Sequence, residues 1–193
     1  NCPVNQIFVS STGVIGEQIK ISKIISSYSL IEKKNEKNMT DAAKAIMTTD
    51  TFSKKVLNIV TIGSRKIRIF GFAKGSGMIF PKMGTMLAYI FIEANLSKTF
   101  LNQLLKMHLD SSFNSISVDG DTSTSDTVML CSLINDNYKN KKIVNSADLK
   151  KISNVLKKTM SSLAMQVVSD GEGISKLMEI NIGGAKNYIQ ASK

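Results

Sequence analysis

The chain has 193 residues, 42% of them hydrophobic and 21% charged, with a formal net charge of +10. That composition supports one or two domains with a substantial buried core, and it excludes intrinsic disorder, a collagen repeat and a disulfide scaffold. No apolar run reaches the roughly 18–20 residues of a membrane-spanning helix, and the opening NCPVNQIFVSS lacks the basic and apolar regions of a secretion signal.

Residues 6–11 (QIFVSS) read as a buried strand, closed by the small-residue turn at Thr12, Gly13 and Gly16. The spacing of Ile19, Ile21, Ile24, Ile25 and Leu30 predicts a helix from about Glu17 to Lys34, and Asn35–Asn38 is a loop. Thr40 and Asp41 are N-cap types for a short helix through Met47. Lys55–Ile62 and Lys66–Phe72 are β-rich runs joined by Gly63-Ser64, a hairpin signal, and glycines 71, 75 and 77 then break the chain. Ser97 caps a helix to about Leu109. Ser115–Val118 and Thr127–Leu133 read as strands around an Asp/Thr/Ser-rich loop. Ser146 caps a long helix to about Met165, Leu177–Ile182 reads as a further strand, and Gly184–Lys193 starts a helix pattern. The alternation of hairpins and helices predicts an α+β layered fold, with no internal repeat and no linker marking a domain boundary. The absence of an initiator Met, and ends that fall inside patterned segments, read as an internal piece of a longer protein, incomplete at both ends.

A basic chain invites a nucleic-acid reading, but only Arg65 and Arg68 are arginines among 25 basic residues, and there is no Trp. Readers of phosphates and base edges favour the planar, bidentate guanidinium and stacked aromatics. The lysines are spread along helix-like stretches, which fits a solvated surface; a lysine-rich nucleic-acid-binding module is kept as an alternative. Cys2 and Cys131 form no CxxC, and two cysteines in a chain of this size suggest a reducing compartment. His108, the sole histidine, sits in the helix-like LNQLLKMHLD and reads as a surface or partly packed residue. No zinc constellation exists, and a histidine-dependent triad has nothing to single it out.

The glycine loops are not phosphate cradles: GFAKGSGM fails GxGxxG at Phe80, and no Walker A motif is present. The Asp119, Asp121, Ser123 run fails as a calcium loop because Thr124 and Leu130 stand where Gly and Glu are needed. What remains is a series of hydroxyl- and glycine-rich runs. They are Ser10–Gly13, Met47–Thr51, Lys74–Met78, Lys82–Leu87, Asp119–Asp126 and Ser169–Gly173. Each alone is a turn signal. Together, hydroxyls and backbone amides at strand ends are the material of an oxyanion hole. A threonine nucleophile needs a base, and a free α-amino group supplies one with a pKa of roughly 7.7–8.0. A chain break at Gly84-Thr85 would create that group.

STGVIG (11–16), AIMTTDT (45–51), KGSGMIFPKMGTML (74–87), FNSISVDGDTSTSDT (113–127) and VVSDGEGISKL (167–177) resemble, in order, the motifs of one family. It is the glutamate N-acetyltransferase, or ornithine acetyltransferase, family of arginine biosynthesis, and the resemblance covers essentially the whole chain. It implies a layered α/β sandwich with mixed sheets, of the type shared with self-cleaving aminopeptidases. It also implies self-cleavage between Gly84 and Thr85, so that residues 1–84 are the C-terminal part of an α chain and 85–193 the N-terminal part of a β chain. By resemblance, Thr85 is the nucleophile and its α-amino group the base, while Thr12 and Gly13 form the oxyanion hole. Thr48, Lys74, Thr85 and Glu172 match substrate-binding positions. The implied substrates are N-acetylornithine and glutamate, with acetyl-CoA a co-substrate in bifunctional members and no resident cofactor or metal. A cytoplasmic αβ hetero-oligomer without nucleic acid or membrane partner is expected, and an amidase or aminopeptidase on the same scaffold is the other alternative. Two departures stand out. Gly84 replaces the usual Ala before the nucleophile, and Ser125 replaces a common Asn in a loop expected to touch no catalytic position.

Overall fold

The computed structural model describes residues 3–28, 30, 38–80, 86–123, 125–134 and 145–191. Its centre is the predicted hairpin: β1 (Lys54–Ile62) and β2 (Arg65–Lys74) pair antiparallel around Gly63-Ser64. Gly63 supplies the positive φ of 58° that such a tight turn requires. β3 (Leu87–Ile92) pairs antiparallel with β2, and β4 (Thr127–Ser132) pairs parallel with β3, giving a mixed four-stranded sheet in the order β1-β2-β3-β4. The parallel pair needs a crossover, and α3 (Lys98–Leu109) lies between those two strands in the chain. Its Ser97 cap accepts from the Phe100 N–H at 3.2 Å, as predicted.

α4 (Ser146–Val168) covers one face of the sheet. Its Ile152, Leu156, Met160, Leu163 and Val167 recur at helical spacing and are fully enclosed against Ile69, Ile90 and Ile92. Thr159 sits in the same stripe and is satisfied there: its hydroxyl donates to Val155 O and accepts from Asn58 Nδ2, both at 3.0 Å. The opposite face carries an aromatic ladder, with Phe70 stacked on Phe91 and Phe72 tilted against Tyr89, both at centroid distances of 5.3 Å. Leu57 and Ile59 are exposed beside it. The architecture is α+β, with helices layered on a mixed sheet. Among the described residues no helix is long and apolar enough to cross a membrane.

Several local expectations are corrected. Residues 6–11 form no strand; a single 3-10 turn covers Val4–Gln6, and Phe8 and Val9 are exposed without a sheet partner. The helix expected over 17–34 is α1 (Ile21–Tyr28), with no buried residue; positions 29 and 31–37 lie outside the described residues. α2 spans Asn38–Ala45, two residues ahead of its expected cap. Ser115–Val118 adds no strand, because a 3-10 turn at Phe113–Ser115 takes its start. Leu177–Ile182 joins no sheet among the described residues and is exposed; α5 (Tyr188–Ala191) is the last described element. α4 is capped by Asn145, whose Oδ1 accepts from the Ala147 N–H at 2.8 Å, rather than by Ser146. Gly71 does not break β2 but lies within it, where a Cβ would stand 2.6 Å from Tyr89 O. His108 is buried, not superficial, with Nε2 2.8 Å from Ser153 Oγ, which ties α3 to α4. Burial, aided by the Lys157 charge, lowers its pKa.

Candidate functional site

The first strand of the hairpin begins at Lys54 and the second ends at Lys74, so both lysines emerge at one end of the sheet. Side chains alternate along a strand: Lys54 and its partner Ala73 lie on the α4 side, Lys74 on the other. Lys54 is fully enclosed. Its Nζ stands 2.6 Å from Asp50 Oδ1, one turn upstream, and 2.5 Å from Asp170 Oδ2, just past the end of α4. An ammonium cannot be buried without such partners. Asp50 is also a backbone acceptor: Oδ1 receives the Gly75 N–H at 2.8 Å and Oδ2 the Thr48 N–H at 3.1 Å. Burial would raise the Asp50 carboxyl, but Gly75, Lys54 and Thr48 outweigh it and hold the group below the usual range. Asp170 behaves alike: against the upward push of burial, Lys54 and the Thr51 hydroxyl and N–H hold it low.

Lys74 is 3% exposed, and its Nζ donates to Thr48 Oγ1 at 2.7 Å. Two residues expected to bind substrate are thus joined directly. Burial is the main cause that lowers the Lys74 ammonium; the Asp50 carboxylate opposes it, and the Lys54 cation adds to it.

The strand then turns into the loop 75–78, which the third such residue approaches from α4. The Ser76 hydroxyl donates to Asp170 O, and the Glu172 N–H donates to Ser76 O, each at 2.7 Å. The Glu172 carboxylate fills the space beside Gly77, where a Cβ would lie 2.9 Å from Oε2. Met78 follows in the left-handed region at φ 56°, a strained position for a side chain. Asp119 holds it there by accepting from the Met78 and Ile79 N–H groups. Thr48, Lys74 and Glu172 therefore surround one loop.

Thr12 and Gly13 belong to a second grouping. The segment carrying them is fixed to β3 by a hydrogen bond between the Ser10 and Tyr89 hydroxyls. They line a polar cleft of about 420 Å³ with Ser11, Glu17 and Ser125. Ser125, the departure expected to touch no catalytic position, thus lines the same cleft as Thr12 and Gly13, the pair expected to form the oxyanion hole. Its neighbour Asp126 accepts the Met86 N–H at 2.8 Å, while Met86 O receives the Thr127 N–H at 2.9 Å. Asp126 also borders an apolar cavity of about 230 Å³ with Ile79, Phe80, Phe113 and Val128. Burial there, only partly offset by the Met86 N–H, pushes its pKa up to about 6. Gly84 and Thr85 lie outside the described residues.

The reading of the sequence missed Asp50, Lys54, Asp126 and Asp170 as individual site residues. The signal for three of them was present: an acidic residue inside each hydroxyl-rich run, at Met47–Thr51, Asp119–Asp126 and Ser169–Gly173. Lys54 carried none, since a lysine entering a strand ordinarily faces solvent.

A model described as the ArgJ family matches residues 1–193. The arginine biosynthesis bifunctional protein ArgJ of Ruegeria pomeroyi is 43% identical over 190 residues, covering 98% of this chain and 45% of that protein. The protein of the same name from Listeria monocytogenes serotype 4b is 41% identical, covering 95% of this chain and 46% of its own length. That of Gluconobacter oxydans is 42% identical, covering 100% and 46%. The chain spans about half the length of the curated relatives it matches.

Proposed function

The chain belongs to the ArgJ family, and from that premise we propose that it is the central part of an acetyltransferase of arginine biosynthesis. The enzyme moves an acetyl group from N2-acetylornithine to glutamate through an acetyl-threonine intermediate. The precursor cleaves itself between Gly84 and Thr85, so residues 1–84 and 85–193 become parts of an α and a β chain of one catalytic unit. The Thr85 hydroxyl then adds to the acetyl carbonyl while its own α-amino group takes the proton. The Thr12 hydroxyl and Gly13 N–H face the oxygen on which negative charge develops. The tetrahedral intermediate collapses, the C–N bond to ornithine breaks, and the departing amine takes the proton back. The glutamate amine attacks the acetyl ester in the second half, which releases N-acetylglutamate and restores the Thr85 hydroxyl. Acetyl-CoA can donate the acetyl group by the same route, in keeping with the word bifunctional in the relatives' names. No resident cofactor takes part. The assembly is an αβ hetero-oligomer working in the cytoplasm.

One observation carries this reading. Lys74 is a buried cation that donates, among the described residues, to the Thr48 hydroxyl alone, and an ammonium has three donors. A carboxylate of an amino-acid substrate completes such a site, and the Glu172 carboxylate across the loop pairs with the substrate ammonium.

The test is a single turnover of the full-length protein with N-acetylornithine labelled in the acetyl group. Label bound covalently to the peptide that begins at Thr85, and chased onto glutamate, is the expected result. Hydrolysis of small peptides without transfer would assign the scaffold to the amidase alternative. DNA affinity that falls steeply with salt, in a protein without transfer, would assign it to the binding-module alternative.

A further inference from the structure

Two carboxylates and two ammonium groups alternate in space at this end of the sheet: Asp170, Lys54, Asp50 and Lys74. The first three are bonded to one another, and each bond reaches a different piece of chain. Asp50 lies before β1 and receives the N–H of Thr48 and the N–H that follows Lys74. Asp170 lies after α4 and receives Thr51, while its carbonyl holds Ser76, whose own carbonyl holds the Glu172 N–H. Lys54 joins the two halves across 116 residues of sequence.

Stability alone is a poor reason for this arrangement. Desolvating an ion pair costs about what the pair returns, and an apolar replacement of similar volume is often as stable or more so. What an apolar replacement cannot do is hold Thr48 and the Lys74–Gly75 step by directed side-chain bonds and set the charge felt at Lys74. We infer that Asp50, Lys54 and Asp170 are a positioning unit for the transfer reaction: a buried, hydrogen-bonded charge network that aligns Thr48 and Lys74 on one substrate. This deepens the reading of the site given above and rests on it.

The electrostatic part has a signature that packing does not share. Asp50 favours the charged form of Lys74, and Lys54 disfavours it. Removing one or the other therefore moves the titration of Lys74 in opposite directions. Asp170 neutralises part of the Lys54 charge, so its loss acts in the same direction as loss of Asp50. The remaining charged groups bordering the loop, Glu172 and Asp119, face Gly77 and Met78 and are untouched by these changes.

The experiment uses the full-length, processed enzyme and the variants Asp50→Asn, Lys54→Met and Asp170→Asn. Thermal midpoints are recorded, and kcat and KM for N-acetylornithine are followed against pH well below those midpoints. In Asp50→Asn the alkaline limb of kcat/KM is expected to move to lower pH, and in Lys54→Met to higher pH. At the pH optimum, kcat/KM in both should fall about 100-fold, mostly through KM, as expected for a displaced binding group. If Lys54→Met does not fold, Asp170→Asn decides, because it is isosteric and keeps the Lys54–Asp50 pair; its limb should move to lower pH. Folded variants with lowered midpoints but unchanged KM and alkaline limbs, or limbs that move together in Asp50→Asn and Lys54→Met, would overturn the inference. Absence of transfer in the wild-type enzyme would instead overturn the functional reading, before any variant is compared.

Discussion

Asp126 Oδ1 accepts a hydrogen bond from the Met86 N–H at 2.8 Å, and that N–H belongs to the peptide joining Thr85 to Met86. The Asp126 carboxyl thus grips the chain one bond beyond the proposed nucleophile, at the border of the apolar cavity lined by Ile79, Phe80 and Val128.

Desolvation of this carboxyl, which the Met86 N–H only partly offsets, makes stability depend on pH. Burial raises the Asp126 pKa from 3.8 to about 6, the Met86 N–H opposing it. Between those values the folded protein binds a proton that the unfolded chain releases, so this group's contribution is full at the acid end and is lost as pH rises through about 6. Asp126→Asn keeps an oxygen for Met86 and removes the cost of burying a charge. The variant of the full-length protein should show a flatter dependence of unfolding midpoint on pH in that window and a higher midpoint at pH 7. Denaturation followed by circular dichroism across pH decides, and a wild-type slope retained in the variant would refute the assignment.

Thr85 carries the chemistry in the proposed reaction, which makes its replacement the most direct check. Thr85→Ala should leave one uncut chain, with neither self-cleavage nor transfer. Thr85→Ser, which keeps a hydroxyl, should cleave more slowly. Intact mass of the purified protein reads both outcomes, and normal two-chain processing in the Ala variant would end the proposal.

In the proposed reaction Thr12 acts on charge that develops only toward the transition state. Thr12→Ala should lower kcat by roughly 10²–10³-fold, the usual loss for one oxyanion donor, with KM changed much less. Steady-state kinetics with N-acetylornithine give both numbers. A large rise in KM at unchanged kcat would make Thr12 a ground-state contact instead.

Gly71 tests the sheet itself. A Cβ at this position would meet backbone, Tyr89 O at 2.6 Å and Ile90 Cα at 3.2 Å, rather than a movable side-chain tip. Gly71→Ala should push β3 from β2 and destabilise by about 1–3 kcal/mol, the range for overpacking a closed interior. Urea unfolding measures the loss. Because Tyr89 on β3 also holds Ser10, transfer activity should fall along with stability.

The elements legible in the sequence were those whose stability is local. The β1–β2 hairpin announced itself through two β-rich runs around Gly63-Ser64, and α3 through Ser97 before an amphipathic run. α4 was legible as a long helix beginning at Ser146, which the structure carries to Val168 behind an Asn145 cap. β3 escaped notice because LAYIFI is a short continuous apolar run whose periodicity does not separate strand from helix; it also adjoins the Gly-Thr motif that drew attention to chemistry. Residues 6–11 and 177–182 have strand composition yet lie in no sheet, since a strand exists only where another offers its backbone.

The candidate site divides in the same way. Motifs in order along the chain were enough to identify the family, and through that resemblance to nominate Thr12, Gly13, Thr48, Lys74, Thr85 and Glu172 as candidates, because a linear motif records residue types and their order. The chain alone did not disclose that Thr48 and Lys74 would be bonded, or that Ser125 would share a wall with Thr12. Least of all did it show that Lys54 would be sealed between carboxylates four positions before it and 116 after it. A charge in water is satisfied wherever it points, so its sequence position says little. Only when packing removes the water must each buried ion find its partners, and the tertiary fold selects them.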